Sequence, residues 1–434
     1  MSAFGLIAGA VLVIGQVEQV PRATLIADVR YAFDARLPLT QVAGMAVGPS
    51  DQLYVADASE GRIGVYDSAG RLAGVFGRPG EGPGEFRRLT SIGVLGDTLW
   101  AVDQGLRRVV LFDTDGRHLA TIGARRDVVQ WPGSPESVVP RAVLRRSMIA
   151  TQRLETGSVR QQQLVLLGGT GELLTQLAVF SLTKERLVVQ SDRAISVSTY
   201  QPLNDSPLWA HSPDGSQMVV VDRTASTESR SARLTVTVTR ADGTRASLTA
   251  CTYRPAPVRP EAESAFIGEA VKRHRRMFGS QREAEAAVRR NLYLPAFYPP
   301  VEDLAYDSSG RIWLRATRIR DTDESTWLLL QPNGTVTLVA APSNFTVHSA
   351  NGSVVYGLEQ DEYDALHVAR YRLTRATASS QMTALSEIEC AGPGDDDAAS
   401  IQGSPSWVGC RHAEQVAPSI HRWFARRSPL IASK

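Results

Sequence analysis

The chain says one thing twice. Leu53-Tyr54-Val55-Ala56-Asp57 is followed by Arg62-Ile63-Gly64-Val65-Tyr66-Asp67, Gly70-Arg71 and Val75-Phe76-Gly77. The same order returns as Leu99-Trp100-Ala101-Val102-Asp103, Arg108-Val109-Val110-Leu111-Phe112-Asp113, Gly116-Arg117 and Thr121-Ile122-Gly123. Asp57, Asp67, Gly70 and Gly77 each recur 46 residues later. Short apolar strands divided by Asp/Gly turns at a fixed period in the forties read as one propeller blade per repeat. A lone four-stranded blade cannot bury both faces, so the repeat requires a closed ring of them.

The unit can be followed along the chain with falling fidelity. Met45-Ala46-Val47 and Ile92-Gly93-Val94 are the inner strands of the first two blades. A third unit runs through Ala142-Val143-Leu144, Met148-Ile149-Ala150, Leu164–Leu167 and Leu173–Val179. The fourth holds Met218–Val221 and the strictly alternating Leu234-Thr235-Val236-Thr237-Val238, as a half-buried strand should. The fifth has Asp303–Tyr306, Ile312-Trp313-Leu314 and Trp327–Leu330; the sixth has Phe345-Thr346-Val347, Val354–Gly357 and His367–Leu373. Gly70, Gly116, Gly171, Gly243 and Gly334 mark the hairpin before the outermost strand in five blades, and the sixth has no equivalent. The strand-like segment Thr24–Phe33 precedes the first inner strand and is free to become that missing outer strand. The expected fold is therefore all-β: a six-bladed β-propeller of four-stranded blades over 24–373, closed by an N-terminal strand.

One insertion interrupts the pattern between blades four and five. Residues 261–292 lack β alternation, and Phe266, Ile267, Ala270, Val271, Ala284, Ala287 and Val288 fall at helical spacing around Gly279-Ser280. Two short helices capping one edge of the ring are expected, with Lys272-Arg273-His274-Arg275-Arg276 on a solvated face. From Thr374 to Lys434 the repeat stops, and Ser/Ala/Thr runs with Asp395-Asp396-Asp397 read as a poorly ordered tail.

Composition narrows the partners. A formal charge of +2 on 434 residues gives no reason to expect nucleic acid. Only Lys184, Lys272 and Lys434 are lysines, and the scattered arginines read as compositional bias, not phosphate recognition. Residues 3–15 are apolar for the length of a signal-peptide core and too short to span a bilayer. An exported protein, periplasmic or extracellular, is expected, with residues 1–23 as a degenerate signal or N-terminal segment; a cytoplasmic chain is the alternative. Cys251, Cys390 and Cys410 have no metal-ligand spacing, and pairing of Cys390 with Cys410 across the tail is left open.

Gly44-Met45-Ala46-Val47, Leu53–Asp57, Arg62–Asp67 and Gly70 resemble the NHL repeat of six-bladed β-propellers. Gly77-Arg78-Pro79-Gly80-Glu81-Gly82-Pro83-Gly84-Glu85-Phe86 resembles the connector between neighbouring NHL blades. The whole of 24–373 is similar to bacterial six-bladed propellers usually predicted to be exported. The resemblance implies a binding platform without catalysis; a protein, a peptide or a small polar ligand is the expected partner, and a monomer the expected state. It implies an alternative too, because some related folds hydrolyse lactones or cleave amidated peptide precursors. That alternative is a metal-dependent hydrolase or lyase working in the axial channel.

The residues themselves offer little chemistry. The run Gly80–Gly84 is neither a dinucleotide fingerprint nor a P-loop; Pro83 removes an amide donor, and Glu81 and Glu85 would repel phosphate. It reads as a tight crossover between blades. Asp57, Asp103 and Asp222 share a repeat position that ends the second strand, where an Asp accepts N–H bonds from the following turn. None of the seven histidines repeats between successive blades. No cofactor is expected, and a divalent metal such as calcium stays open. Candidate ligand-binding residues lie instead in the loops that leave one face of the ring: Arg62, Arg78, Glu81, Glu85, Arg87, Arg107 and Arg108, with Ser59, Glu60, Arg88 and Gln104 beside them. Arginines and carboxylates around a concave mouth suit a polar or anionic ligand or a peptide.

Overall fold

The computed structural model describes residues 21–31, 41–123, 138–144, 147–156, 159–168, 172–181, 186–191, 196–212, 216–223, 232–240, 243–253, 255–317, 323–332, 334–362, 365–375, 388–391 and 409–412. Strand β1 (Arg22–Arg30) comes first. Blade one is β2 (Val42–Val47), β3 (Leu53–Asp57), β4 (Arg62–Tyr66) and β5 (Leu72–Phe76). A parallel pair, β6 (Arg78–Pro79) and β7 (Glu85–Phe86), makes the crossover. Blade two is β8 (Leu89–Leu95), β9 (Thr98–Asp103), β10 (Arg108–Asp113) and β11 (His118–Gly123). Blade three is β12 (Val138–Leu144), β13 (Ser147–Thr156), β14 (Val159–Leu167) and β15 (Leu173–Ser181).

A hairpin with no counterpart in the repeat follows, β16 (Arg186–Gln190) with β17 (Ser196–Tyr200). Blade four is β18 (Leu208–His211), β19 (Gln217–Val221), β20 (Ala232–Arg240) and β21 (Arg245–Tyr253). Helices α1 (Pro260–His274) and α2 (Gln281–Asn291) come next, joined through a 3-10 turn at Arg275–Met277. Blade five is β22 (Val301–Tyr306), β23 (Ile312–Ala316), β24 (Glu324–Leu330) and β25 (Val336–Pro342). Blade six is β26 (Phe345–Asn351), β27 (Val354–Gln360) and β28 (Leu366–Arg375). In the tail, β29 (Ile388–Ala391) pairs antiparallel with β30 (Gly409–His412), and the backbone register sets Cys390 opposite Cys410. The rest of the expected signal segment and tail lies outside the described residues.

Strand β1 is the fourth strand of blade six. It runs antiparallel to β28 from Ala23 opposite Arg375 to Arg30 opposite Ala369, and its first residues also lie parallel to Leu338–Ala340 of β25. The ring thus closes with a strand from the start of the chain, which covers the edge that blade six would otherwise expose. Asp28 anchors the closure by accepting from Arg370 Nε at 2.9 Å, and Tyr31 packs edge-on against Tyr66 of blade one at 6.0 Å. Burial, with Tyr356 adding to it, pushes the Tyr31 phenol up to about 12.

The core is divided among the contacts between neighbouring blades. Tyr54, Ala56 and Ile63 meet Leu89, Leu99 and Phe112 between blades one and two, and Val102 meets Ile149 and Leu166 between two and three. Met218 of blade four joins that second cluster. Val236 meets Leu314 between four and five, Leu329 meets Val355 between five and six, and Tyr356 meets Val55 between six and one. Gly70, Gly116, Gly243 and Gly334 all turn before an outer strand with φ of +82° to +91°, the left-handed region that a Cβ resists. Gly171 lies outside the described residues.

Candidate functional site

Alternating strand direction sends the second-to-third-strand loops and the blade-to-blade connectors to the same face. A latch recurs there. An N–H at the end of the second strand bonds the carbonyl just before the inner strand: Ala58 to Gln41, Gln104 to Arg88, Thr317 to Pro300 and Gln360 to Asn344, at 2.8–3.1 Å. All seven candidate side chains stand on this face. Between blades one and two they mostly pair with one another.

Arg78 holds Glu85 through Nε and Nη2, both at 2.7 Å, and Arg87 pairs with Glu81 at 3.0 Å. Glu85 also accepts from Gly82 N at 2.8 Å. That N–H and the Arg78 guanidinium hold the Glu85 carboxyl below its ordinary range. Arg108 reaches back from blade two to the carbonyls of Glu81, Gly82 and Glu85 at 2.8–3.0 Å. The glycine-rich run is a crossover, as its sequence implies, and Arg108, read from the sequence as a ligand-binding candidate, pins it. Arg62 sits 3.6 Å from Asp57.

Asp57 and Asp103 are turn caps. Asp57 Oδ1 accepts from Ser59 N, Ser59 Oγ and Glu60 N. Asp103 accepts from Gly105 N and Leu106 N within its own loop, and from Arg87 N and Arg88 N of the connector. Both carboxylates are buried; these donors engage both Asp103 oxygens and Asp57 Oδ1, while Asp57 Oδ2 has no hydrogen bond and faces Arg62 at 3.6 Å.

Two further arginines clamp connectors elsewhere on the face, and sequence reasoning missed both. Arg223 donates to Ser206 O at 2.6 Å and to Val301 O at 3.3 Å, joining blade four to the start of blade five. Arg315 donates to Ser343 O at 2.6 Å and Thr346 Oγ1 at 3.2 Å, and its Nε faces Glu302 at 3.0 Å. No sequence signal separates these from exposed arginines, because their targets are carbonyls set by loop geometry.

Over blades three to five the face carries a cap. Both inserted segments leave the ring there, between an outer strand and the next inner strand. Leu187 and Val189 of β16 pack on Ile267, Ala270 and Val271 of α1 and on Ala284, Ala287 and Val288 of α2. Ser280 caps α2 by accepting from Glu283 N, while Glu283 reaches back to Ser280 N. Gln201 ties the stem of the hairpin to the end of α2, donating to Asn291 O and accepting from Tyr293 N. His274, expected on the solvated face, is instead buried in the cap, and burial with Arg273 nearby lowers its pKa; Lys272, Arg273, Arg275 and Arg276 are exposed.

The axial channel is lined by the inner strands, and five of the six carry a bulge. The extra residues are Ala43, Thr90, Arg141, Glu302 and His348. His348 is exposed to solvent although protein surrounds it, as befits a channel wall; that surrounding protein pushes its imidazole pKa down, and Asp303 opposes the shift. Among the described residues no three His, Cys, Asp or Glu side chains are grouped to hold a metal ion. Among them, too, no helix is long and apolar enough to cross a membrane.

Residues 45–128 match the DUF5128 family model, described as a 6-bladed beta-propeller. No curated protein sequence matches the chain. Solved structures similar to it include a member of the duf4221 family from Bacteroides vulgatus, with 10% identity over 82% of this chain and 100% of that one and a TM-score of 0.43. Virginiamycin B lyase from Staphylococcus aureus matches at 9% identity over 77% of this chain and 97% of its own, with a TM-score of 0.36. Regucalcin from Agrobacterium tumefaciens, a calcium-binding protein, matches at 11% over 83% and 98%, with a TM-score of 0.40. Likeness at this level passes no ligand or activity to this chain. By its own sheets and by the match over its first two blades, the chain is a six-bladed β-propeller.

Proposed function

We propose that the chain is a non-catalytic binding platform, a monomer whose connector face takes a protein, a peptide or a small polar ligand. One observation carries the reading: both insertions leave the ring on a single face and share one apolar core, so that face is walled. The charged crossover of blades one and two stands across the ring from that wall and offers exposed polar groups, Arg87 and Glu81 among them. A wall beside a polar rim is the usual geometry of a recognition surface. Export belongs to the same proposal and rests on the apolar stretch 3–15.

The test is a photo-crosslinking amino acid placed at exposed Arg87 and, as a control, at exposed Leu119 on the outer rim. Adducts formed in envelope extract at position 87 and absent at 119 support the reading. Equal labelling at both positions, or none at either, overturns it. Stoichiometric divalent metal in the purified protein would instead favour the hydrolase or lyase alternative.

A further inference from the structure

The β3–β4 and β9–β10 loops are one loop built twice, and they differ tellingly at one position. Gly61 in the first and Arg107 in the second precede the arginine that opens the third strand, and both are left-handed, with φ of +57° and +52°. Glycine adopts that conformation freely; a residue with a Cβ is strained in it. The repeat therefore contains its own relaxed solution, and blade two does not use it.

One nitrogen of the half-buried Arg107 side chain is also unsatisfied. This nitrogen, Nη1, is shut away from solvent and has no hydrogen-bond partner. A guanidinium carries five N–H donors and no acceptor, so a buried, unpartnered nitrogen on one calls for an oxygen. Asp103, the acid of its own loop, is already engaged by four backbone N–H groups and by Arg108 at 3.4 Å. A second cation stands at the same junction. Gly105 lets the loop lie so close to the connector that a Cβ there would be 2.9 Å from the Cβ of Arg87 and 3.2 Å from that of Arg88; Arg87 is held by Glu81, and Arg88 is exposed. Strain at a surface loop, together with a donor nitrogen left without a partner, points to a ligand.

We propose that Arg107, assisted by Arg88, binds an oxyanion of the ligand, a carboxylate or phosphate group, where the β9–β10 loop meets the crossover. This rests on the binding-platform reading and names the chemistry of one of its subsites. A guanidinium pairs with either group through two parallel N–H···O bonds, and a second arginine adds charge without a new geometry.

The experiment titrates the full chain with citrate and, separately, with inorganic phosphate, at low ionic strength. Arg107→Gly is the decisive variant, because it restores the residue blade one already uses. It is expected to melt at the same temperature as the wild type or a few degrees above, and to weaken binding at least tenfold. Arg88→Ala should weaken it less, and Arg107→Lys should fall between wild type and Arg107→Gly. Tighter binding of citrate identifies a carboxylate site, and tighter binding of phosphate a phosphate site. Saturable binding of neither anion by the wild type, or equal binding by Arg107→Gly, overturns the proposal. Crosslinking at position 87 that persists in Arg107→Gly alongside unchanged anion binding would sink the oxyanion site and leave the platform standing.

Discussion

Between blades one and two the connector face is built from ion pairs standing in water: Arg78 on Glu85 and Arg87 on Glu81, with the two arginine side chains 78% and 63% exposed. Over blades three to five it is built from Leu187, Val189, Ala270, Ala284 and Val288, none more than 1% exposed. The difference separates two jobs. Exposed pairs are screened by salt and contribute little each, so they can exchange partners at small cost. Apolar burial is indifferent to salt and holds shape. The cap therefore reads as the fixed wall of the face and the crossover as its adjustable rim.

The most severe way to break that contrast is to hollow the wall. Leu187→Ala removes a buried side chain from the small core shared by β16, α1 and α2, and should cost about 3 kcal/mol. Chemical denaturation should show this loss, and protease should cut first within 186–200 and 255–300 while the blades keep their far-UV circular dichroism. Arg223→Ala sharpens the contrast from inside, since this buried arginine is a polar tie on the apolar side. Two carbonyls, Ser206 O and Val301 O, lose their charged donor. A destabilisation of about 2 kcal/mol is expected, unchanged by 1 M salt because the group is buried.

The same contrast explains what the sequence discloses. Blades one and two are legible because their turns need particular residues: Asp to cap a loop, Gly to take a positive φ. The closing strand follows from a missing fourth strand, and helices α1 and α2 from the spacing of Phe266, Ala270, Ala284 and Val288. Hairpin β16–β17 is not legible. Leu187 and Val189 alternate with exposed Val188, but the surface they bury against is supplied by helices some 80 residues later in the chain. The clamps hide for a related reason. Arg87 and Arg315 are the same residue type, and only the folded connectors decide that one is exposed and the other sealed on Ser343 O. His348 occupies the bulge that its strand shares with four other inner strands, and no residue around it announces one. Of the seven candidates, Arg107 is distinguished by its φ, a quantity that only coordinates reveal.

Ser280→Ala probes the wall at its edge. The side chain satisfies one orphan N–H at the start of α2, and the Glu283 return bond depends on the same local geometry. About 1 kcal/mol of stability should be lost, read as a lower denaturation midpoint. Because the cap's core is untouched, proteolysis within 255–300 should rise far less than in Leu187→Ala.

The smallest effect belongs to the rim and is visible chiefly in its pH dependence. Glu85 is held below its ordinary value of 4.5, first by the Gly82 N–H and then by Arg78. A carboxyl whose pKa is depressed by folding adds stability above its unfolded pKa and loses it as pH falls through the folded one. Wild type should therefore melt slightly above Glu85→Gln at neutral pH, and the gap should close as pH drops from about 4.5 downward. Salt should erode the part owed to Arg78 and spare the part owed to the Gly82 N–H. The Leu187→Ala deficit should respond to neither variable. If instead the Glu85 gap survives at low pH, the crossover is held by packing around Phe86, and the division of the face into wall and rim fails.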